Sequence, residues 1–181
     1  MKKLTITLAF LLCLFACSSK QEQTAEKTGF TGAYYYEFTS PATVTDYVYD
    51  ESGNASQTEI AIDQPGSTKM VYEFENGCLL KMTTTFTVTK EEVEKKYKMS
   101  MEEYVQMEND ALGEIVYEHD GIRNMPPVVE EDMVLLDVVF DFSDITPWLT
   151  DEIWKEYVSE DKTCIKYETM MPLLEGFTEV K

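Results

Sequence analysis

One histidine, several pairs of acids, two isolated nucleophiles and a set of tyrosines are the side chains of this chain that could do chemistry. His119 stands between Glu118 and Asp120, a triplet that looks metal-binding on paper. The segment reads as a strand, however, and neighbours on a strand point to opposite faces and cannot chelate together. As the sole histidine, it is also the one base that Ser143 or Cys164 could use in a triad, and neither lies near it in sequence. Asp137 and Asp141 fall on one strand face about 13 Å apart by strand rise, too far for either glycosidase geometry. Alternate acids on a solvated face account for them. Asp50-Glu-Ser-Gly-Asn54 suggests a calcium loop but lacks the twelve-residue frame and its closing bidentate glutamate, so it reads as a turn. Glu130-Glu-Asp132 gathers cations only as any acidic run does. Zinc spacing, a glycine-rich phosphate cradle and a nucleotide fingerprint are all missing. The expectation is therefore a protein that is not an enzyme and holds no cofactor or metal.

The tyrosines invite a different reading. Tyr34, Tyr36, Tyr47 and Tyr49 lie on two expected strands and could line a ligand face, because tyrosine joins apolar area to a hydroxyl. Ordinary strand packing is the plainer account of the same rings.

The N-terminus carries an address. Lys2 and Lys3 form a basic start, Leu4 to Phe15 is an apolar run too short to span a bilayer, and Leu14-Phe-Ala-Cys17 follows. This stretch resembles a bacterial lipobox, although Phe15 is bulkier than usual at its position. The resemblance implies cleavage before Cys17, lipid on that cysteine and a mature domain outside the cytoplasm; the alternative is a plain secretory leader over residues 1–16. Each buried methylene contributes about 0.8 kcal/mol, so two or more chains hold a protein on a membrane where one is marginal. Residues 17–29 then make the lipidated cysteine and a polar, flexible tether, and 30–181 a single domain.

Without the two leader lysines the chain has 13 basic against 34 acidic side chains, a net charge of −21. Nucleic acid is excluded as a partner, since phosphate binding needs clustered Lys and Arg. Anionic headgroups repel such a domain, leaving the lipid as its attachment to the membrane. Cys78 and Cys164 remain outside the leader. They form either one disulfide, valued by chain entropy at roughly 4 kcal/mol, or two separate buried thiols. Neither belongs to a C-x-x-C pair, which argues against redox catalysis.

The elements follow from pattern. Ala33 to Thr39, Thr43 to Tyr49 and Gln57 to Ile62 read as strands. Lys69 to Glu75 and Cys78 to Val88 form a hairpin, because Asn76-Gly77 supplies the positive φ values of a type I′ turn. Cys78, Leu80, Met82, Thr84, Phe86 and Val88 are expected on its buried face. Thr89 with Glu92 and Ser100 with Glu103 are capping boxes that open helices, the second ending near Gly113. Glu114 to His119 reads as a strand, the stretch to Glu131 as an irregular loop, and Asp132 to Phe142 as a long strand. Thr146-Pro147 opens a helix whose apolar side is Leu149, Ile153, Trp154, Tyr157 and Val158. Cys164 to Tyr167 is a short strand, and Met170 to Gly176 a final helix.

Val71-Tyr-Glu-Phe-Glu-Asn-Gly77, Thr89-Lys-Glu-Glu-Val93, Asp137-Val-Val-Phe-Asp141 and the run from Tyr167 to Glu179 give an order of elements that resembles the YehR-like family of small bacterial lipoproteins over residues 68–181. The strands before residue 68 and the Arg123 to Asp132 loop depart from the family pattern. The resemblance implies an α+β fold and an envelope address, and no chemistry. The whole is expected to be an antiparallel sheet with two or more helices packed on it. As a lipid-anchored envelope module it would bind an envelope protein or small ligand. The alternatives are a cation- or small-ligand-binding lipoprotein and an envelope hydrolase. Radiolabelled palmitate fed to producing cells should label the wild type and not Cys17→Ala; equal label in both would remove the anchor.

Overall fold

The computed structural model describes residues 29–49, 52–114 and 120–180, without the side chains of 47–49 and 113–114. The leader, Cys17, the tether up to residue 28, the turn residues 50 and 51 and His119 lie outside them. Of the strand expected over Glu114 to His119, only Glu114 is described, and it is helical.

The sheet is entirely antiparallel. Strands β1 (Gly32–Thr39), β4 (Ser67–Glu75), β5 (Cys78–Thr89), β6 (Ile122–Asn124), β7 (Val128–Glu130), β8 (Met133–Asp141) and β9 (Thr178–Val180) form it in the order β6-β8-β5-β4-β1-β9, with β7 also on β8. β2 (Thr43–Tyr49) and β3 (Ala55–Ala61) pair with each other in a separate hairpin. The helices are short: a one-turn α1 (Lys90–Glu92) runs into a π turn at Val93–Tyr97, then come α2 (Met101–Glu114) and α3 (Tyr167–Met170). The class is α+β, a mostly antiparallel sheet with a few short helices packed on it.

Local chemistry explains most of these boundaries. Asn76 and Gly77 adopt φ values of 52° and 80°, the left-handed pair that a type I′ turn demands. The register then slips at Glu73/Phe74, so that Phe74 faces Leu79 and Glu73 faces Lys81. Leu80 is the extra residue of this bulge. Leu79, 1% exposed, thus replaces Cys78 and Leu80 on the buried face with Met82, correcting the strict alternation expected there. The capping boxes are present in full. Glu92 accepts from Thr89 N at 3.0 Å and Gly66 N at 3.1 Å, and Thr89 Oγ1 donates to Gln64 O at 2.7 Å; Ser100 and Glu103 exchange the same reciprocal pair. The first box therefore anchors the β3–β4 connection as well as starting a helix.

Three expectations fail near the C-terminus. The helix expected from Thr146 is two 3₁₀ turns, Thr146–Leu149 and Trp154–Glu156. Asp144 accepts from Thr146 N at the start of the first turn, and Asp151 from Ile153 N and Trp154 N at the start of the second; by taking these two amides Asp151 stands in for the carbonyls that a continuous helix would offer them. Trp148, absent from the expected apolar side, is fully buried with its Nε1 on Asp141 O at 2.8 Å. Cys164 to Tyr167 makes only the single bridges Cys78↔Lys166 and Val158↔Ile165. The final helix begins earlier, at Tyr167, and becomes 3₁₀ at Met171–Leu174, where Pro172 removes an amide. Likewise the loop expected before Glu131 contains β6 and β7, and β9, not anticipated, zips onto Ala33, Tyr34 and Tyr35.

The two cores lie on the same face of the sheet. Tyr72, Met82 and Phe140 align across β4, β5 and β8 and are buried with Trp148, Ile165 and Met170 from the C-terminal segment. Val134, four and six residues before Val138 and Phe140 on β8, packs with Val93 and Tyr104. Gly66 sits where an added Cβ would run into the Thr87 carbonyl oxygen and lie 2.7 Å from Glu92 Oε2. Gly66→Ala should destabilise the fold by about 2 kcal/mol, an overpacking cost; a urea midpoint equal to wild type would contradict this contact.

Candidate interaction surfaces

The candidate reactive side chains that are described have local partners, and His119 lies outside the described residues. Ser143 Oγ donates to Asp141 at 2.6 Å, and Arg123 pairs with the same carboxylate at 2.9 Å. Asp141 is held below the usual carboxylate range, first by the Ser143 hydroxyl and its backbone amide and then by Arg123. Asp137 accepts from Thr85 Oγ1 at 2.6 Å. Cys164 is joined to Cys78 in a disulfide with Cα atoms 5.7 Å apart, so its thiol is not a nucleophile. Among the described residues no three His, Cys, Asp or Glu side chains are placed to hold a metal ion. A hollow of about 490 Å³ lies against Glu103, Gln106, Met107, Asp110 and Ala111. All five belong to α2, and among the described residues no second element lines it.

The four tyrosines fall on strands of two different sheets. Tyr34 and Tyr36 belong to β1 in the large sheet, whereas Tyr47 and Tyr49 belong to β2, opposite Gln57 and Ala55; the side chains of the latter two lie outside the description. Tyr34 is committed to packing. Its hydroxyl meets Tyr167 Oη at 2.9 Å and donates to Glu179 at 3.3 Å, and burial, then Tyr167, pushes its ionisation up. Tyr36, 38% exposed, stands at the margin of the first core with Phe38 at 6.0 Å and Phe177 at 5.2 Å between ring centres.

Two surfaces stand out; sequence pattern marked only Tyr47 and Tyr49 on the first and the acidic run Glu130 to Asp132 beside the second. The first is the β2–β3 hairpin, whose second strand is exposed at every position except Ile60. Its two ends meet where Ile62 N donates to Ala42 O and Ser40 N to Gly66 O, both at 2.8 Å. Glu91 accepts from Asp63 N, Gln64 N and Lys95, while Lys95 also donates to Ala61 O at 2.9 Å. Lys98 reaches Asp46 at 3.3 Å. Polar bonds at the root, with this ion pair halfway along β2, thus hold the hairpin. The second surface is the β6–β7 edge, where Met125, Val128 and Val129 are 44%, 51% and 54% exposed. The adjoining β-branched pair Val128-Val129 was the available signal, masked by Pro126-Pro127.

No family model matches this chain, and no curated protein matches it. A solution NMR structure of the Escherichia coli YehR protein is similar to it at 12% identity, over 86% of this chain and 94% of that one, with a TM-score of 0.43.

Glu91 gives the root of the hairpin a pH signature. Lys95 foremost, and then the Asp63 and Gln64 amides, lower its pKa to about 2. A carboxyl depressed in the folded state contributes stability above its unfolded value of about 4.3 and loses it as pH falls toward the folded value. Wild type should therefore lose more stability than Glu91→Gln between pH 5 and pH 2, measured by urea unfolding. Parallel pH profiles would contradict this.

Proposed function

We propose that this chain is a lipid-anchored, extracytoplasmic module of a bacterial envelope that works by binding another envelope component, and that it is not an enzyme. The observation that carries this reading is the β2–β3 hairpin. A two-stranded hairpin is marginally stable alone in water, yet this one is exposed along nearly all of β3, and the bonds described for it lie at its root and at the Lys98–Asp46 pair halfway along β2. Keeping such an arm makes physical sense for a surface that meets a partner. The Cys78–Cys164 bond supports the address, because disulfides persist in oxidising compartments outside the cytoplasm. The Leu14-Phe-Ala-Cys17 leader supports the anchor. A net charge of −21 after the leader would hold the domain away from anionic headgroups and favour cationic partners.

The test places a photo-reactive residue at Thr58, exposed on the arm, or at Lys81, on the face of the sheet opposite the two cores, in the full chain on intact cells. A discrete adduct from position 58 and none from position 81 is the expected result. Equal adducts from both positions, or none from either, would sink the reading.

A further inference from the structure

β6 and β7 are two pieces of one edge strand. Ile122, Arg123 and Asn124 pair with Phe140, Val139 and Val138, and Val128, Val129 and Glu130 with Leu135, Val134 and Met133. Between them Met125 N donates to Asp137 O at 2.8 Å, so the ladder continues to Met125. Two edge residues, Pro126 and Pro127, then stand against one on β8, Leu136, which makes a bulge.

Backbone alternation decides which groups of β7 face away from the sheet. Lys90 N donates to Asp132 O at 2.8 Å, which assigns Asp132, and two residues on Val134, to bonding with β5. Met133 and Leu135 then bond to β7. Val129, opposite Val134, turns its N–H and C=O outward, and among the described residues no strand pairs with that flank. The side chains along the edge are apolar and exposed, with Met125, Val128 and Val129 at 44%, 51% and 54%. Edges are usually guarded by lysine, by inward charge or by cover; here the guard is acidic, the exposed turn Glu130-Glu131-Asp132. In a chain of net charge −19, that acidity turns away a second copy and attracts a cation.

We propose that the Met125–Glu130 edge is a docking strand for an extended polypeptide segment of a partner in which apolar residues alternate with Lys or Arg. The segment adds to the sheet beside β7, with Val129 supplying backbone bonds, its apolar side chains lying on Met125 and Val128, and its cations at the acidic turn. This inference rests on the reading of the chain as a binding module and names the chemistry of what one surface of it binds.

The probe is fluorescein-labelled acetyl-Lys-Val-Lys-Val-Lys-Val-Lys-amide, titrated by anisotropy against the full chain in neutral detergent. The control peptide has its central valine replaced by proline, which cannot join a ladder. Saturable binding is expected, weakened about tenfold by raising NaCl from 50 to 500 mM and about tenfold for the control peptide. Val129→Pro, which removes the outward N–H, should lose a similar factor; Val128→Arg, which leaves the backbone intact and sets like charge beside the peptide, covers the case in which the proline variant does not fold. No saturable binding, equal binding of the control peptide, or wild-type binding by both variants would overturn the docking strand and leave at most general attraction to an acidic surface. A position-58 adduct that survives such a result would keep the module reading while removing this edge from it.

Discussion

The segment that follows β8 has almost no regular structure of its own, yet it supplies Trp148, Trp154, Ile165, Tyr167 and Met170 to the main core. What holds it on the sheet is the covalent bond from Cys164 to Cys78 at the start of β5, with backbone bonds from Leu79 N to Ile165 O and Tyr167 N to Gly77 O alongside, both at 2.8 Å. Linking residues 86 positions apart removes roughly 4 kcal/mol of unfolded-chain freedom in the entropic account. That is a large fraction of the stability of an ordinary domain. The aromatic packing beneath, with Phe30 on Tyr167 at 4.6 Å and Phe142 on Trp148 at 4.2 Å between ring centres, depends on the segment staying in place.

The abundance of acids has a local explanation that competes with any catalytic one. Asp141, Asp144 and Asp161 each accept from nearby Ser or Thr groups, and these bonds lower their pKa values. Short acidic side chains that satisfy neighbouring amides stand in for the helix that this stretch never forms. Glu92 does the same at a larger scale. Buried at 8% exposure, it accepts from two backbone amides that belong to different segments, and so ties the route out of the β2–β3 hairpin to the start of the first helix.

Covering only one face of the sheet has consequences for function. Antiparallel sheets commonly leave the other face to water, and here the Thr83, Thr85 and Thr87 side lies away from both cores. Among the described residues the large apolar side chains that remain exposed are Tyr36, Met107 on α2, Val180 on β9 and the group from Met125 to Val129. On the proposed reading as a binding module, the margins of the sheet and the exposed hairpin are the surfaces offered to a partner chain.

Much of the frame was legible because its signals are local. Asn76-Gly77 demanded the turn, Thr89 with Glu92 and Ser100 with Glu103 demanded helix starts, and the alternation from Val134 to Phe142 demanded a strand; each rests on the backbone preferences of a few adjacent residues. Tertiary structure decided the rest. That Leu79 and not Leu80 is buried follows from a bulge visible only once β4 and β5 are paired. That β9 closes on β1, that Tyr34 spends its hydroxyl on Tyr167 while Tyr47 belongs to another hairpin, and that Pro126-Pro127 interrupts an edge strand, all depend on residues far apart in the chain. Long-range pairing leaves little trace in any short window, because the free energy that selects it comes from burying side chains against partners that the window does not contain.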